Sequence, residues 1–280
     1  MKIVRSPTSL RRLVSAARRK GKTIGFVPTM GALHEGHLSL IRAAKKENGL
    51  VVVSIFVNPI QFNNRKDLQS YPRPPAKDAR LAAKAGADVV FAPSARAVYP
   101  PGFQTFVEVT GVSRPLEGRL RPGHFRGVAT VVAKLFNIVQ PAQAYFGQKD
   151  AQQARVVRQL IRDLDFPVCL RVLPTVREPG GLAMSSRNAR LSTEHRRAAR
   201  ALFEALQSGK RLIEWGHRRK TEVLRRINGE LKKVRGLKVE YVALVDPESF
   251  EEISTVKGPA LILAACWLGK TRLIDNIRVR

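Results

Sequence analysis

The chain has 280 residues, of which 44 % are hydrophobic, and its 50 Lys and Arg against 22 Asp and Glu give a formal net charge of +28. That length suits one large domain or two modest ones, and the apolar content is normal for a globular protein. No apolar run approaches the roughly 18 residues that span a membrane, and no secretory signal pattern is present, so we predict a cytoplasmic protein without a membrane segment.

The positive charge suits polyanionic partners such as nucleic acid or a phosphorylated substrate. The Lys and Arg residues are scattered over every segment, however, and aromatic residues make up only 6 % of the chain. We therefore interpret the charge as a general compositional bias and do not expect specific nucleic-acid binding.

The first predicted element is a helix near the start of the chain. Residues 1–34 contain no Asp or Glu and several Arg, which resembles an organellar transit peptide. A helix within the domain is the better interpretation, because Ser6 can cap a helix that has Pro7 at its first position. Four apolar residues share one face of that helix: Leu10, Leu13, Val14 and Ala17.

A short apolar run at 23–27 predicts a buried strand, and the apolar periodicity of 38–47 predicts a helix. Between them lie a turn with Pro and Gly and two histidines, His34 and His37. Both histidines are thus expected at a helix N-terminus at the carboxyl end of a strand, where open α/β sheets bind ligands. Free backbone N–H groups, the helix dipole and imidazole donors favour an anion there, so the pattern predicts a site for nucleotide phosphates.

His34 and His37 have two other interpretations. They can be ordinary polar residues on a helix surface, but their position directly after a strand and turn favours the anion site. A zinc site is disfavoured, because the pair is three residues apart and no further His, Cys or carboxylate cluster completes a tetrahedral set.

Strands and helices alternate along the first part of the chain, which predicts a Rossmann-like α/β domain with a parallel sheet and helices on both faces over residues 1–175. The long polar segment 58–75 is predicted to be a functional loop. The further strands are predicted at 50–57, 88–92, 142–146 and 168–172, and the helices at 38–47, 78–85, 127–139 and 151–164.

The character of the sequence changes after about residue 175. Residues 176–280 are predicted to form a smaller α+β C-terminal domain. Both cysteines, Cys169 and Cys266, lie in apolar strand-like runs and are predicted to be buried thiols. The helices of this part are predicted at 194–208 and 221–234, and the strands at 238–245, 261–267 and 271–279.

A second chemical segment lies where the strand at 142–146 meets its helix. Gly147 permits close approach of a ligand to the backbone, and Lys149 carries a flexible charge suited to phosphate. Asp150 can bind a ribose hydroxyl, or it can simply cap the helix.

Two loops carry further candidate groups. Ser185, Ser186 and Arg187 combine hydroxyls with a permanent cation and can clamp a phosphate, although solvated loops often have this composition. His124 lies in a turn with two Arg residues, and it can equally pack on the helix that follows.

Taken together, these motifs resemble the pantothenate synthetase (pantoate–β-alanine ligase) family of the nucleotidyltransferase superfamily, whose signature includes a His-x-Gly-His motif. The resemblance covers essentially the whole chain. The matching segments are 28–37, 56–62, 71–73, 121–128, 146–153 and 184–188.

The resemblance implies ATP-dependent condensation of (R)-pantoate with β-alanine to pantothenate, AMP and diphosphate through a pantoyl-adenylate. It also implies Mg²⁺ and a homodimer. Because water would destroy the adenylate, a lid is expected, and the candidates for hinge and lid are Gly180-Gly181 and the Ser-Ser-Arg loop of the C-terminal domain. The residues implied to bind ATP are Met30, Gly31, Ala32, Leu33, His34, Glu35, Gly36, His37, Gly147, Gln148, Lys149, Asp150, Val176, Met184, Ser185, Ser186 and Arg187.

Roles in the chemistry are also implied. His37 carries the main catalytic role, and the groups expected to stabilise the transition state with it are His34, Lys149, Ser185, Ser186 and Arg187. Pantoate is expected to contact Gln61, Gln153, Met30 and His124, with Gln61 also near β-alanine. The carboxylate of pantoate, with a pKa of about 4, is already ionised at neutral pH, so adenylation needs charge stabilisation and no general base.

The chain departs from the family's pattern at two places. Gly180 stands where the family usually has Asp before the Gly-Leu-Ala of its flexible loop, which is expected to loosen that loop. Asp78 matches an acidic position near the family's metal site, although Lys77 precedes it, and Asp78 is the candidate ligand for Mg²⁺ carried by ATP phosphates.

Two rival functions stay open from sequence alone. The first is another nucleotidyltransferase that makes a dinucleotide or a CDP-alcohol, against which the glutamines Gln61 and Gln153 and the full-length match argue. The second is a basic nucleic-acid-binding protein on an old enzyme fold, against which the scattered charge argues.

Overall fold

The structure is a computed structural model, and it describes residues 1–279. The strands are β1 Lys2–Val4, β2 Ile24–Thr29, β3 Leu50–Ile55, β4 Val89–Phe91, β5 Gln143–Gly147, β6 Cys169–Leu173, β7 Leu237–Val245, β8 Ala260–Leu268 and β9 Thr271–Val279. The α-helices are α1 Pro7–Arg19, α2 Glu35–Glu47, α3 Arg65–Ser70, α4 Pro75–Ala85, α5 Ala95–Val98, α6 Glu117–Leu120, α7 His124–Val139, α8 Ala151–Asp163, α9 Thr193–Ala198, α10 Arg200–Glu214 and α11 Lys220–Leu231. Three 3₁₀ helices cover Pro59–Gln61, Gln148–Asp150 and Ser186–Arg190.

Six strands form one parallel sheet in the order β1-β4-β3-β2-β5-β6. Because side chains alternate across a strand, Val52 of β3 joins the apolar cluster that includes α1, α7 and α8. Its neighbours Val51 and Val53 join the cluster of α2 and α4. Helices therefore cover both faces, and the predicted α/β fold is confirmed.

The strand order places a switch point at β2. The chain leaves β2 for β3 on one side of it, and later returns to β5 on the other side. Gly25 and Phe26 of β2 pair in register with Gln143 and Ala144 of β5. The carboxyl ends of these two strands flank the crevice where open α/β sheets bind ligands.

Several predicted elements differ in their bounds. The first helix is present as predicted, and its Ser9 backbone N–H lies 3.4 Å from the capping Ser6 hydroxyl. The segment 58–75, predicted to be a loop, instead holds the 3₁₀ helix Pro59–Gln61, α3 and the start of α4. Strand β1 was not predicted, because three residues are too few to show a period.

One of the two cysteine predictions is wrong. Cys266 is buried in the middle strand of its sheet, and burial raises the pKa of its thiol to about 12. Cys169 is exposed, because it opens β6, which is the edge strand of the parallel sheet. An apolar run alone does not distinguish an edge strand from a central one.

The described residues form two compact units. The first comprises 1–147 and 152–174, and the second comprises 148–151 and the chain from 175 onward. In the second, α10 and α11 pack over the antiparallel sheet β7-β8-β9, as a small α+β arrangement predicts. The single helix predicted at 194–208 is two helices, α9 and α10, that meet at Ala199.

Within residues 1–279, no helix has both the length and the apolar character needed to cross a membrane.

Candidate active site

The turn after β2 has a backbone that few residues tolerate. Gly31 and Ala32 are both left-handed, with φ of +82° and +50°. A Cβ at Gly31 would lie 2.9 Å from Asp78 Oδ2 and 3.0 Å from Ile55 Cγ2, so only glycine fits. Ala32 adopts a conformation that costs about 1–2 kcal/mol, so neighbouring groups must hold it there.

Asp78 is the group that holds this turn. Its carboxylate is 1 % exposed on α4, and its oxygens accept the backbone N–H groups of Ala32 and Leu33, each at 2.8 Å. The Gly31 N–H donates to the Thr29 hydroxyl at 3.1 Å. Three successive amides of the turn therefore bind the protein itself, a pattern that sequence reasoning missed.

This result narrows the predicted anion site. Helix α2 begins at Glu35, and the first N–H groups of a helix have no acceptor within it. The amides of Glu35 and Gly36 lie at the positive end of the helix dipole and are the candidate backbone donors for an anion, while the turn amides donate within the protein.

The two histidines lie at the start of α2, as predicted. His34 is the N-terminal capping residue, and its backbone N–H donates to His37 Nδ1 at 3.3 Å. The two rings are in contact, with centroids 4.0 Å apart and planes tilted by 35°. Because an accepting Nδ1 carries no proton, the proton of the neutral His37 ring is on Nε2, where it is a donor.

A second cluster in the same unit brings three predicted pantoate residues together. Gln61 is buried, and its Nε2 lies 3.2 Å from Met30 Sδ. His124 Nδ1 donates to the Gln61 carbonyl at 2.9 Å, while Arg121 Nη1 donates to His124 Nε2 at 3.1 Å. These contacts place the proton of the His124 ring on Nδ1 and leave Nε2 as the acceptor. They also fix the orientation of the ring.

The Gln61 segment depends on a close approach of α7. A Cβ at Gly127 would lie 2.6 Å from Gln61 Cα, which requires glycine there. Asn58 is buried and donates to the Gly127 carbonyl and to Gln61 Oε1, both at 3.0 Å. Tyr99 in turn donates to Asn58 Oδ1 at 2.8 Å, and burial raises the pKa of that phenol. Asn58 was not singled out in the sequence, although it lies within a matching segment.

Two adjacent glutamines at the start of α8 have different environments. Gln152 is 3 % exposed and donates to the Val112 and Pro115 carbonyls at 3.0 and 2.8 Å. It also accepts the Glu117 N–H at 3.1 Å, so its amide is used inside the protein. Gln153 is half-buried on another face of the helix, which leaves it as the candidate for substrate.

The second unit contains Lys149 and the Ser185–Arg187 segment, which are predicted to bind phosphate. Lys149 Nζ lies 3.3 Å from Asp150 Oδ1, and the Lys149 side chain is 18 % exposed. Asn276 of β9 donates to the carbonyls of Gln148 and Lys149 at 3.0 and 2.9 Å. The segment Gln148–Asp150 is therefore fixed to β9 within this unit.

Residues 176–184 form a hairpin that leads to the Ser-Ser-Arg segment. The Met184 N–H donates to the Val176 carbonyl at 3.0 Å across its base. Gly180 and Gly181 form its tip, with φ of +91° and +93°. Beyond the hairpin, Ser185 caps the 3₁₀ helix Ser186–Arg190 by accepting the Arg187 N–H at 3.2 Å.

Glu178 fastens this hairpin to its surroundings. Its Oε1 accepts from Asn188 Nδ2 and Arg196 Nη2, both at 2.8 Å, and its Oε2 accepts from Arg196 Nε at 2.7 Å. The Arg196 guanidinium, followed by the Asn188 amide, holds the pKa of the Glu178 carboxyl below its usual range despite burial.

The described residues do not fit a magnesium ion held by the protein alone. No group of three or more His, Cys, Asp or Glu side chains among residues 1–279 is arranged to bind a metal. The candidate ligand Asp78 is buried, and both of its oxygens accept turn amides. The structure thus supports Asp78 as an anchor of the turn.

Comparison with known proteins places these features in a family. The model of the pantoate–β-alanine ligase family matches residues 2–278. Pantothenate synthetase of Moorella thermoacetica is 50 % identical over 277 residues, which cover 99 % of this chain and 98 % of the relative. That of Thermotoga neapolitana is 50 % identical over 276 residues, which cover 99 % of each.

Solved structures agree. The crystal structure of pantothenate synthetase from Thermus thermophilus has a TM-score of 0.94 at 45 % identity, and each chain covers 99 % of the other. The pantoate–β-alanine ligase of Francisella tularensis, solved with β,γ ATP and β-alanine, has a TM-score of 0.83 at 38 % identity, with coverage of 99 % of this chain and 97 % of that one.

Proposed function

The chain belongs to the pantoate–β-alanine ligase family, and we propose that it condenses (R)-pantoate with β-alanine, using ATP and releasing AMP and diphosphate. The observation that carries this proposal is the cluster of Met30, Gln61 and His124, which lies within the same compact unit as the turn that leads to His37. One unit thus offers an acid-binding amide and donors for phosphate.

The first step joins pantoate to the α-phosphorus of ATP. An oxygen of the pantoate carboxylate forms the new O–P bond, and the bond from that phosphorus to diphosphate breaks. Negative charge accumulates as this happens, so the step needs donors fixed in place before reaction. His37 Nε2–H and the first amides of α2 are such donors, and His34 supports them through its contact with His37.

The second step forms the amide bond. The amine of β-alanine, after losing a proton from its ammonium form, attacks the acyl carbon, and the C–O bond to AMP breaks. Gln61 and Gln153 are neutral amides, so they bind hydroxyls and carboxylates of the two acids without neutralising the nucleophile. We assign pantoate to Gln61, Gln153, Met30 and His124, and β-alanine to Gln61.

The remaining ATP contacts are proposed in the second unit. Lys149 and Arg187 supply positive charge for the phosphates, and Ser185 and Ser186 supply hydroxyls. The adenylate is a mixed anhydride that water would hydrolyse, so a lid is expected, with Gly180-Gly181 as the candidate hinge and the Ser-Ser-Arg loop as the candidate lid. Mg²⁺ is proposed only as the counter-ion of the ATP phosphates. The homodimer stays a prediction from the family resemblance, and the cytoplasmic location stays a prediction from the sequence.

Omission of single substrates tests the proposal. The full chain is incubated with ATP, pantoate and β-alanine, and AMP is measured with each acid left out in turn. We expect sustained AMP formation only with both acids, and pantoate-dependent exchange of labelled diphosphate into ATP without β-alanine. AMP formation that does not depend on pantoate would overturn the proposal. Tight, salt-sensitive nucleic-acid binding without ligase activity would favour the rival function.

A further inference from the structure

Strand β9 carries two adjacent buried polar residues at its centre. Asp275 and Asn276 are 3 % and 4 % exposed, between the apolar Ile274 and Ile277. Burial of a carboxylate and an amide in a strand is costly unless both are hydrogen-bonded. Their partners therefore indicate what the pair is for.

Asn276 fastens the segment that carries Lys149. Its Nδ2 donates to the carbonyls of Gln148 and Lys149 at 3.0 and 2.9 Å, and its Oδ1 accepts from Gln148 Nε2 at 2.9 Å. A side-chain amide donates twice from one end and accepts at the other. An ionised carboxylate cannot replace this amide, because its oxygens are only acceptors and would face the two carbonyl oxygens without a donor between them.

Asp275 fastens the hairpin that leads to Arg187. Its two oxygens accept from Arg177 Nη1 and Nη2 at 2.6 and 3.0 Å, a bidentate pair that fixes the guanidinium plane. Arg177 Nη1 also donates to the Gly181 carbonyl at 2.9 Å, and its guanidinium lies 3.6 Å from the centre of the Phe203 ring. The hairpin is thus held at its base and near its tip by one side chain.

The contacts of Asp275 and those of Asn276 are linked. Asp275 Oδ1 also accepts the Asn276 backbone N–H at 2.8 Å, so the residues orient each other. The segment 148–149 and the hairpin 176–184 are far apart in sequence, and they share one support on one strand.

We propose that Asp275 and Asn276 are a positioning pair for ATP. Asn276 binds the backbone of Gln148 and Lys149, and Asp275 binds Arg177 in the hairpin that leads to Ser185–Arg187. The pair thereby sets the spacing between the Lys149 ammonium and the Ser185–Arg187 segment. This inference rests on the proposed function, since Lys149 and Arg187 are its phosphate-binding groups. Asp275 and Asn276 act through Arg177 and through the Lys149 segment, not by contact with substrate.

The variant Asn276→Asp tests the pair, with Glu240→Gln as a matched control. Glu240 accepts from Arg272 Nε at 2.8 Å and from Trp267 Nε1 at 3.1 Å in the same sheet, remote in sequence from both ATP segments. We expect Asn276→Asp to raise the KM for ATP about tenfold and to leave the Kd for pantoate within about twofold, as the loss of a well-placed hydrogen bond implies. Glu240→Gln should lower the melting temperature without changing the KM for ATP.

A double-mutant cycle separates positioning from stability. If Asn276 acts through Lys149, Asn276→Asp adds little to the ATP defect of Lys149→Ala. Additive effects, or a lowered melting temperature with an unchanged KM for ATP, would overturn the inference. Asn276→Ala, which removes the side-chain hydrogen bonds without adding a charge, is the second variant if Asn276→Asp does not fold, and it should also raise the KM for ATP.

Failure of the proposed function would be visible separately. A wild-type chain that forms no AMP from pantoate would sink that function, while direct titration of ATP against the same variants would still measure the effect of the pair.

Discussion

The turn after β2 and the hairpin at 176–184 are both proposed to bind ATP, but they are held in different ways. The turn is fixed by backbone amides that donate to Thr29 and to a buried Asp78, 45 to 46 residues away. The hairpin is fixed by charged side chains, and the partner of Arg177 is 98 residues away. Because the Arg196 side chain that pairs with Glu178 is 51 % exposed while Asp78 is buried, the hairpin is the segment that salt should affect more.

The largest expected effect lies at the end of the turn. His37→Ala removes the Nε2–H donor, so the rate of diphosphate release should fall by on the order of 10²- to 10³-fold. The Kd for pantoate, measured by titration, should change little, because Gln61 and its cluster are untouched. His217→Ala, an exposed histidine of the second unit, is the control, and equal activity of the two variants would remove His37 from catalysis.

A smaller loss is expected at the anchor of the turn. Asp78→Asn replaces one acceptor by an NH₂ group that faces a backbone N–H, so the free energy of unfolding should fall by about 1–3 kcal/mol. The KM for ATP should rise as well, because the left-handed Ala32 is then poorly held. Asp163→Asn, on the exposed end of α8, is the control for urea unfolding, and equal losses in both variants would contradict the anchor role.

The sequence predicted the turn after β2 better than the hairpin at 176–184. The strand at 23–27, the histidine pair and the helix after them are consecutive, so their order alone places them at the carboxyl edge of the sheet. The fold class and most strands followed from the same alternation. The occupation of the turn amides by Asp78 did not follow, because nothing local shows that α4 lies against this turn.

The second region depends on contacts that no short pattern contains. Arg177 meets Asp275, and Asn276 meets Gln148, across 98 and 128 residues. The one available signal was the Asp-Asn pair placed between the apolar residues Ile274 and Ile277 of the strand. The exposed Cys169 was missed for a related reason, since the position of a strand within the sheet depends on its partners.

The pH dependence of stability should sharpen the contrast. Arg196 holds the pKa of Glu178 below its usual range, so the folded protein binds fewer protons at this site than the unfolded chain does. Its contribution is therefore complete above the unfolded pKa of about 4.3 and is lost as pH falls through the lower folded value. The melting temperature of Glu178→Gln should lie below that of the wild type near neutral pH, and the gap should close toward acid pH. A gap that is constant with pH would show that the charge of Glu178 has no part in it.

The smallest effect is expected at the tip of the hairpin. Gly180→Asp places a side chain at φ +91°, which costs about 1 kcal/mol, while its Cβ comes within 2.5 Å of the Arg200 guanidinium, whose flexible end can move and then pair with the new carboxylate. The sequence alone predicts a tighter loop with Asp at this position, but the strain at φ +91° acts in the other direction, so we expect hydrogen exchange at the hairpin amides Glu178 and Gly181 to become faster. Gly216→Asp has a similar φ of +97° with open space around it, so it should leave the hairpin unchanged. Unaltered exchange in Gly180→Asp would mean that the residue at this tip does not control the hairpin.

The measurement that tests the central claim most directly follows an oxygen atom. Pantoate labelled with ¹⁸O in its carboxylate is turned over with ATP and β-alanine, and the AMP and diphosphate are analysed by mass. Attack of the carboxylate on the α-phosphorus predicts one ¹⁸O in AMP and none in diphosphate. Label in a released phosphate, or AMP without label, would contradict a pantoyl-adenylate and with it the mechanism assigned to this site.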